Sequence, residues 1–181
     1  MKSKAGALKV PRLGQVGIVV RNVDAAVAYF SDVFGLGPWA VFEGTPERCT
    51  DRGREVTFTG RMAMAQAGGV QVELIQILGD EKTTHTEFLE RHGEGIHHVG
   101  FFVNNLDERL AAARRAGIDV LQHGLLKRLG LSIEYAYLDT VETGGVIIEY
   151  IQPRYLGLPF PMRFSPLLRL SARLSRMLPG G

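Results

Sequence analysis

Four polar side chains stand at matching places in a sequence that is written twice. Gln15 opens QVGIVVRNVDAAV (15–27), and His98 opens the looser copy HVGFFVNNLDERL (98–110). Glu73 lies in GGVQVELIQ (68–76), and Glu149 in its copy GGVIIEYIQ (144–152). An internal repeat means that one supersecondary unit is used twice. If the copies face each other, one amide, one imidazole and two carboxylates converge on a shared centre, and that donor set suits a divalent cation. Strand alternation places Glu73 on one face with Ile75 and Ile77, and Glu149 on one face with Ile147 and Ile151. A carboxylate among isoleucines is costly to bury unless something compensates its charge. A central cation would remove that cost for both glutamates at once. Taken singly, a glutamate in an alternating strand points to solvent more often than not; four polar groups at equivalent places favour the metal site. Gly17 and Gly100, two residues beyond Gln15 and His98, leave room beside the ligands.

The elements that must position these residues follow one pattern in both copies. In the first, alternating Val and Ile over 14–20 predict a strand. A helix is expected over 23–34, with Asn22 as N-cap and Gly35 as its stop. Val23, Ala26, Val27, Phe30, Val33 and Phe34 fall on one face of it. Strands are expected at 38–43, at 55–65 with a bend near Gly60, and at 69–77. The second copy predicts a strand at 97–103, a helix at 106–116, and strands near 118–122, 133–139 and 145–151. Each copy thus reads β-α-β-β-β. One domain is expected over 13–153, with module one at 13–78, a linker at 79–95 carrying a short helix from Thr84 to Arg91, and module two at 96–153. The tail, 154–181, carries a candidate amphipathic helix at 166–178.

Composition narrows the function. With 45% hydrophobic and 22% charged residues the chain is that of a globular protein, and a net charge of +2 offers no case for nucleic acid. Cys49 stands alone, which rules out a disulfide framework or a thiolate metal cluster. The basic N-terminus lacks the apolar run of a signal peptide, and no stretch approaches the roughly 18 apolar residues of a membrane span. Cytoplasm is the expected location.

The segments QVGIVV, NVDAAVAYFSDVFGL, VELIQ, GEGIHHVGFFV and VIIEYIQP resemble the vicinal oxygen chelate superfamily of glyoxalase I, methylmalonyl-CoA epimerase, extradiol dioxygenases and bleomycin-resistance proteins. The resemblance covers about 13–153. It implies an α+β fold in which two paired βαβββ modules form a cupped mixed sheet around one divalent metal (Zn, Co, Ni, Mn or Mg). By position, the family's four metal places fall on Gln15, Glu73, His98 and Glu149, and His97 points the other way. A single His in the set argues against the dioxygenases, whose iron site uses two. Bleomycin-resistance proteins would not need both glutamates. The Lewis-acid branches remain. There the metal polarises a carbonyl and makes the neighbouring proton removable, with Glu149 and Glu73 as the proton-transfer groups. The segments GLGPW (35–39) and EFLERHGEGIHH (87–98) resemble the epimerase side, while the Gln-Glu-His-Glu set resembles animal glyoxalase I. The expected function is an epimerase or isomerase acting α to a carbonyl through an enolate held at the metal. The alternatives are a glyoxalase I-type lactoylglutathione lyase and a non-catalytic binding protein of the resistance type.

Other residues carry weaker signals. Glu47, Glu55 and Glu134 are candidates for a further proton-transfer group, and Arg48, Arg54, Lys127 and Arg128 for holding a substrate anion. Trp39 reads equally as cup lining or core. His85, His92 and His123 read as surface residues. The expected partners are a small carbonyl or thioester substrate and a second copy in a homodimer. Contact of the tail with an anionic membrane, through Arg169, Arg173 and Arg176, is the less favoured alternative.

Overall fold

A computed structural model of the chain describes residues 8–160; the candidate helix at 166–178 lies outside them. In chain order the elements begin β1 (Gln15–Val19), α1 (Val23–Phe34), β2 (Ala40–Gly44), β3 (Arg48–Asp51) and β4 (Arg54–Glu55). They continue β5 (Thr59–Ala67), β6 (Val70–Leu78), α2 (Thr84–His92), β7 (Gly95–Phe102) and α3 (Leu106–Arg115). The last are β8 (Val120–Arg128), β9 (Leu131–Leu138), α4 (Val141–Gly144), β10 (Ile147–Tyr155) and β11 (Leu158–Pro159).

Two compact units share the described chain. The first unit comprises residues 15–45 and 58–97. Its strands run β2-β5-β6-β1, with β1 parallel to β6 and the other neighbours antiparallel. The Asn22 side chain accepts from Ala25 N at the start of α1, and Gly35 ends the helix with φ 64°, the left-handed stop that glycine permits at little cost. Val23, Ala26, Val27 and Phe30 pack against Val20, Trp39, Ala63, Ala65 and Leu74. Val33 and Phe34, expected on that buried face, are exposed instead, because the sheet covers only the first turns of the helix. Thr83 and Thr86 cap α2 reciprocally and Gly93 closes it, as the linker pattern predicts.

The second unit comprises residues 8–14, 46–57 and 98–160. Its strands run β7-β10-β9-β8-β3-β4, with β10 parallel to β7 and β11 paired to β10. Helix α3 supplies Leu106, Leu110 and Ala113 to a core with Phe101, Ala136, Leu138 and Tyr150. The expected strand 55–65 is two strands in different units. Val56 and Phe58 are buried between β4 and β5, and residues 46–57 leave the first repeat to pair β3 with β8. The strand expected near 118–122 runs on to Arg128, because its partner β9 has residues to match it from Val120 onward.

Candidate functional site

Strand register makes the repeat exact to the residue. In the first unit Gln15 pairs with Gln71 and Gly17 with Glu73. In the second, His98 pairs with Ile147 and Gly100 with Glu149. Each unit therefore places one candidate ligand on its first strand and a glutamate two register positions along its last. Alternation turns both pairs away from the helix. Ile18, Val20, Val72 and Leu74 face α1, so Gln15 and Glu73 occupy the other face.

The two pairs are supported differently. Gln15 is 3% exposed and its Nε2 donates to Gln71 Oε1 at 2.7 Å. That bond engages the amide nitrogen, and Gln15 Oε1 is buried with no hydrogen-bond partner. A bare buried carbonyl oxygen is costly, and a cation would satisfy it. In the second unit His98 is fully buried and Glu149 nearly so, with His98 Nε2 at 3.1 Å from Glu149 Oε2. Glu149 Oε2 makes no hydrogen bond of good geometry. Two ligand atoms each about 2.1 Å from one cation stand roughly this far apart, so the pair suits a shared cation. Among the described residues no three His, Cys, Asp or Glu side chains form a metal-holding group. The second unit brings His98 and Glu149 together, and the first places Gln15 and Glu73 on one face of adjacent strands. Within each unit the pair offers donors of the kind a divalent cation takes, an amide oxygen with a carboxylate in the first and an imidazole with a carboxylate in the second.

What flanks the glutamates differs as well. Met64 stands opposite Glu73, and Met62 opposite Ile75. At the corresponding places of the second unit, Tyr137 stands opposite Glu149 and Tyr135 opposite Ile151. The Tyr137 ring lies 4.9 Å from the His98 ring and 5.5 Å from Tyr135. Tyr135 lies across Gly124, where a Cβ would stand 2.5 Å from its ring. Its hydroxyl donates to Gln122 Oε1 at 3.3 Å, and Gln122 Nε2 donates to Asp51 Oδ2 at 2.9 Å. Cys49 Sγ lies 3.7 Å from the same hydroxyl. Burial pushes the Cys49 thiol up to about 11; the nearby Asp51 charge adds to this and the Tyr135 hydrogen bond opposes it. Sequence reasoning did not single out Tyr135, Tyr137, Gln122 or Asp51. Alternation in EYAYL was the available signal for the tyrosines, while the Gln122–Asp51 contact spans 71 positions.

The remaining candidates separate cleanly. Trp39 packs in the α1 core and donates through Nε1 to Leu36 O at 2.8 Å. Glu47 pairs with Lys127, and Glu134 with Arg48 and His123. Arg54, Glu55, Arg128 and His92 are exposed. His85, read from sequence as a surface residue, is 3% exposed. Its ring stacks on His97 at 4.7 Å and approaches Phe58 at 6.2 Å. Those partners come from segments on either side of it in the chain, Phe58 just before β5 and His97 in β7, so no local pattern betrays its burial.

A fold of two β-α-β-β-β units with polar groups at equivalent strand places defines a class of protein, and the comparisons agree with it. The family described as Glyoxalase/Bleomycin resistance protein/Dioxygenase superfamily matches residues 14–137, and the chain belongs to that superfamily. The expected vicinal oxygen chelate fold is thereby borne out. The Bacillus subtilis protein YqjC is 31% identical over 144 residues, covering 79% of this chain and 93% of its own. Among solved structures, a variant of Streptomyces coelicolor methylmalonyl-CoA epimerase in complex with 2-nitronate-propionyl-CoA superposes with a TM-score of 0.60 at 21% identity, covering 84% of this chain and 100% of that one. Methylmalonyl-CoA epimerase from Mycobacterium tuberculosis gives 0.59 at 25% identity, covering 88% and 95%. No described helix is long and apolar enough to cross a membrane.

Proposed function

We propose that the protein is a divalent-metal-dependent epimerase or isomerase that moves a proton α to a carbonyl, with one cation held by Gln15, Glu73, His98 and Glu149. The observation that carries this reading is the shared register of the two ligand pairs, with Gln15 Oε1 and Glu149 Oε2 buried and lacking hydrogen bonds. The names of the Streptomyces and Mycobacterium neighbours favour a thioester as the substrate class. When bound, the cation supplies Lewis-acid polarisation of the substrate carbonyl. The chain's own residues do the rest. Gln71 holds the Gln15 amide nitrogen and leaves the amide oxygen for the cation. The Tyr137 ring fixes the plane of His98. Glu149 takes the α-proton, and Glu73 returns one to the opposite face, so the carbon is inverted. Burial of both carboxylates excludes water from the transfer. Delivery to the adjacent carbon instead would be the lyase outcome.

The test is wash-in of solvent deuterium to the α-carbon of methylmalonyl-CoA, with and without added divalent metal. Metal-dependent exchange supports the reading. Conversion of a glutathione hemithioacetal without exchange into the thioester would move the assignment to the lyase. The protein is also proposed to form a homodimer, supported by the exposed Tyr29, Val33 and Phe34 of α1; sedimentation equilibrium at the mass of one chain would contradict that.

A further inference from the structure

Two neighbouring turns of the second unit have an unusual build. Strands β8 and β9 are joined by Leu129-Gly130, with φ of 48° and 80°, and β10 and β11 by Leu156-Gly157, with φ of 49° and 81°. Two-residue turns with positive φ at both places favour Asn or Asp before the glycine. A left-handed leucine is strained because its Cβ crowds the backbone. Both leucines are nevertheless held on the crest and turned to solvent: Leu129 is 89% exposed, Leu156 73%, and Leu158 beside it 71%. The turns touch, since Leu156 N donates to Gly130 O at 2.8 Å. Tyr155, half exposed, has its ring tilted toward Phe160 at 6.2 Å. The result is a contiguous apolar tip that contributes nothing to the core and carries two strained residues.

Charge identifies what the tip meets. Arg128, exposed, directly precedes Leu129, and Arg154 reaches over the second turn to donate to Gly157 O at 3.2 Å. Neither residues 128–133 nor 150–160 contain an acidic side chain, and the sequence from 153 to 181 has five arginines and no Asp or Glu. Apolar side chains on turn crests, rimmed by cations, suit insertion among the headgroups of an anionic lipid surface. A groove for a protein segment is not what two turn crests offer. We infer that this tip, Leu129, Leu156 and Leu158 flanked by Arg128 and Arg154, docks the protein on anionic membrane surfaces. The inference is independent of the proposed metal chemistry, and it concerns the turns, not the tail helix considered from sequence.

The experiment is sedimentation of the full chain with vesicles of phosphatidylcholine alone or mixed with phosphatidylglycerol. Binding is expected to the mixed vesicles, not to the neutral ones, and to weaken as salt is raised. Leu129→Asn combined with Leu156→Asn should weaken it by about tenfold or more. Asparagine tolerates the left-handed conformation, so the melting temperature should hold. Arg128→Glu should weaken binding by itself. A double variant that sediments with mixed vesicles as the unsubstituted chain does would overturn the inference. So would equal binding to neutral vesicles. Lipid-free self-association that the double variant abolishes would assign the tip to a second copy of this chain and overturn the membrane role.

Discussion

The two units place their candidate ligands in the same register but hold them by opposite means. In the first, Gln15 is steered by one hydrogen bond from Gln71, and Glu73 faces the flexible thioether of Met64. In the second, an isoleucine stands where Gln71 does, and the tilted ring of Tyr137 packs on His98. Thioethers adapt to what they touch, whereas Tyr135 is locked over Gly124 and tied through Gln122 to Asp51, with the Tyr137 ring 5.5 Å from it. Duplication thus fixes where ligands sit, while the packing around each copy sets how rigidly. The imidazole–carboxylate pair of the second unit is packed more rigidly than the amide–carboxylate pair of the first.

The comparison breaks most sharply at the glutamates. Glu149→Gln should keep some metal affinity, since an amide is the proposed ligand at position 15, and lose α-proton exchange by about 100-fold or more. Exchange at the unsubstituted rate would put the base elsewhere. Glu73→Gln should impair inversion more than exchange, if Glu149 alone removes the proton; equal loss of both would erase the division of roles.

A smaller effect is expected at the aromatic lock. Gly124→Ala drives a Cβ into the Tyr135 ring and should cost about 1–3 kcal/mol by overpacking, read as a lowered melting temperature. An unchanged value would mean that the tyrosines are free to move. Gln71→Ile would make the first unit resemble the second. It strands Gln15 Nε2, and metal affinity should fall by about tenfold, the effect typical of a lost group behind a ligand. Calorimetric titration checks it, and unaltered affinity would show that the amide needs no steering.

The smallest effect at neutral pH belongs to Cys49. Its folded-state value, raised to about 11 from an ordinary 9.0, leaves stability untouched below pH 9. Between about pH 9 and 11 the unfolded thiol loses its proton while the folded one keeps it, so stability should fall by roughly 2 kcal/mol. Cys49→Ala should flatten that part of the pH profile; an identical slope would mean that another group titrates.

Local signals made much of this legible. Asn22 and Gly35 bracket α1, Gly93 closes α2, and the glycines read as leaving room beside Gln15 and His98 stand opposite Glu73 and Glu149. What sequence could not show was long-range. Nothing in RCTD announces that it pairs with residues 122–125 instead of its own module. His85 is buried by Phe58 and His97, and Val33 and Phe34 are left bare because the sheet ends short of them. Hydrophobic periodicity marks a helix face but does not say how far its partner extends.

The central claim is that Gln15, Glu73, His98 and Glu149 together hold one divalent cation. Elemental analysis of the purified protein, before and after chelation and with the melting temperature followed in parallel, tests it most directly. One ion per chain is expected. Its removal should lower the melting temperature, because the two glutamates lose the charge that offsets their burial, and His98→Ala should lose both the ion and that response. A chain that holds no stoichiometric metal, or a His98→Ala variant that binds it with unaltered affinity, would contradict the account.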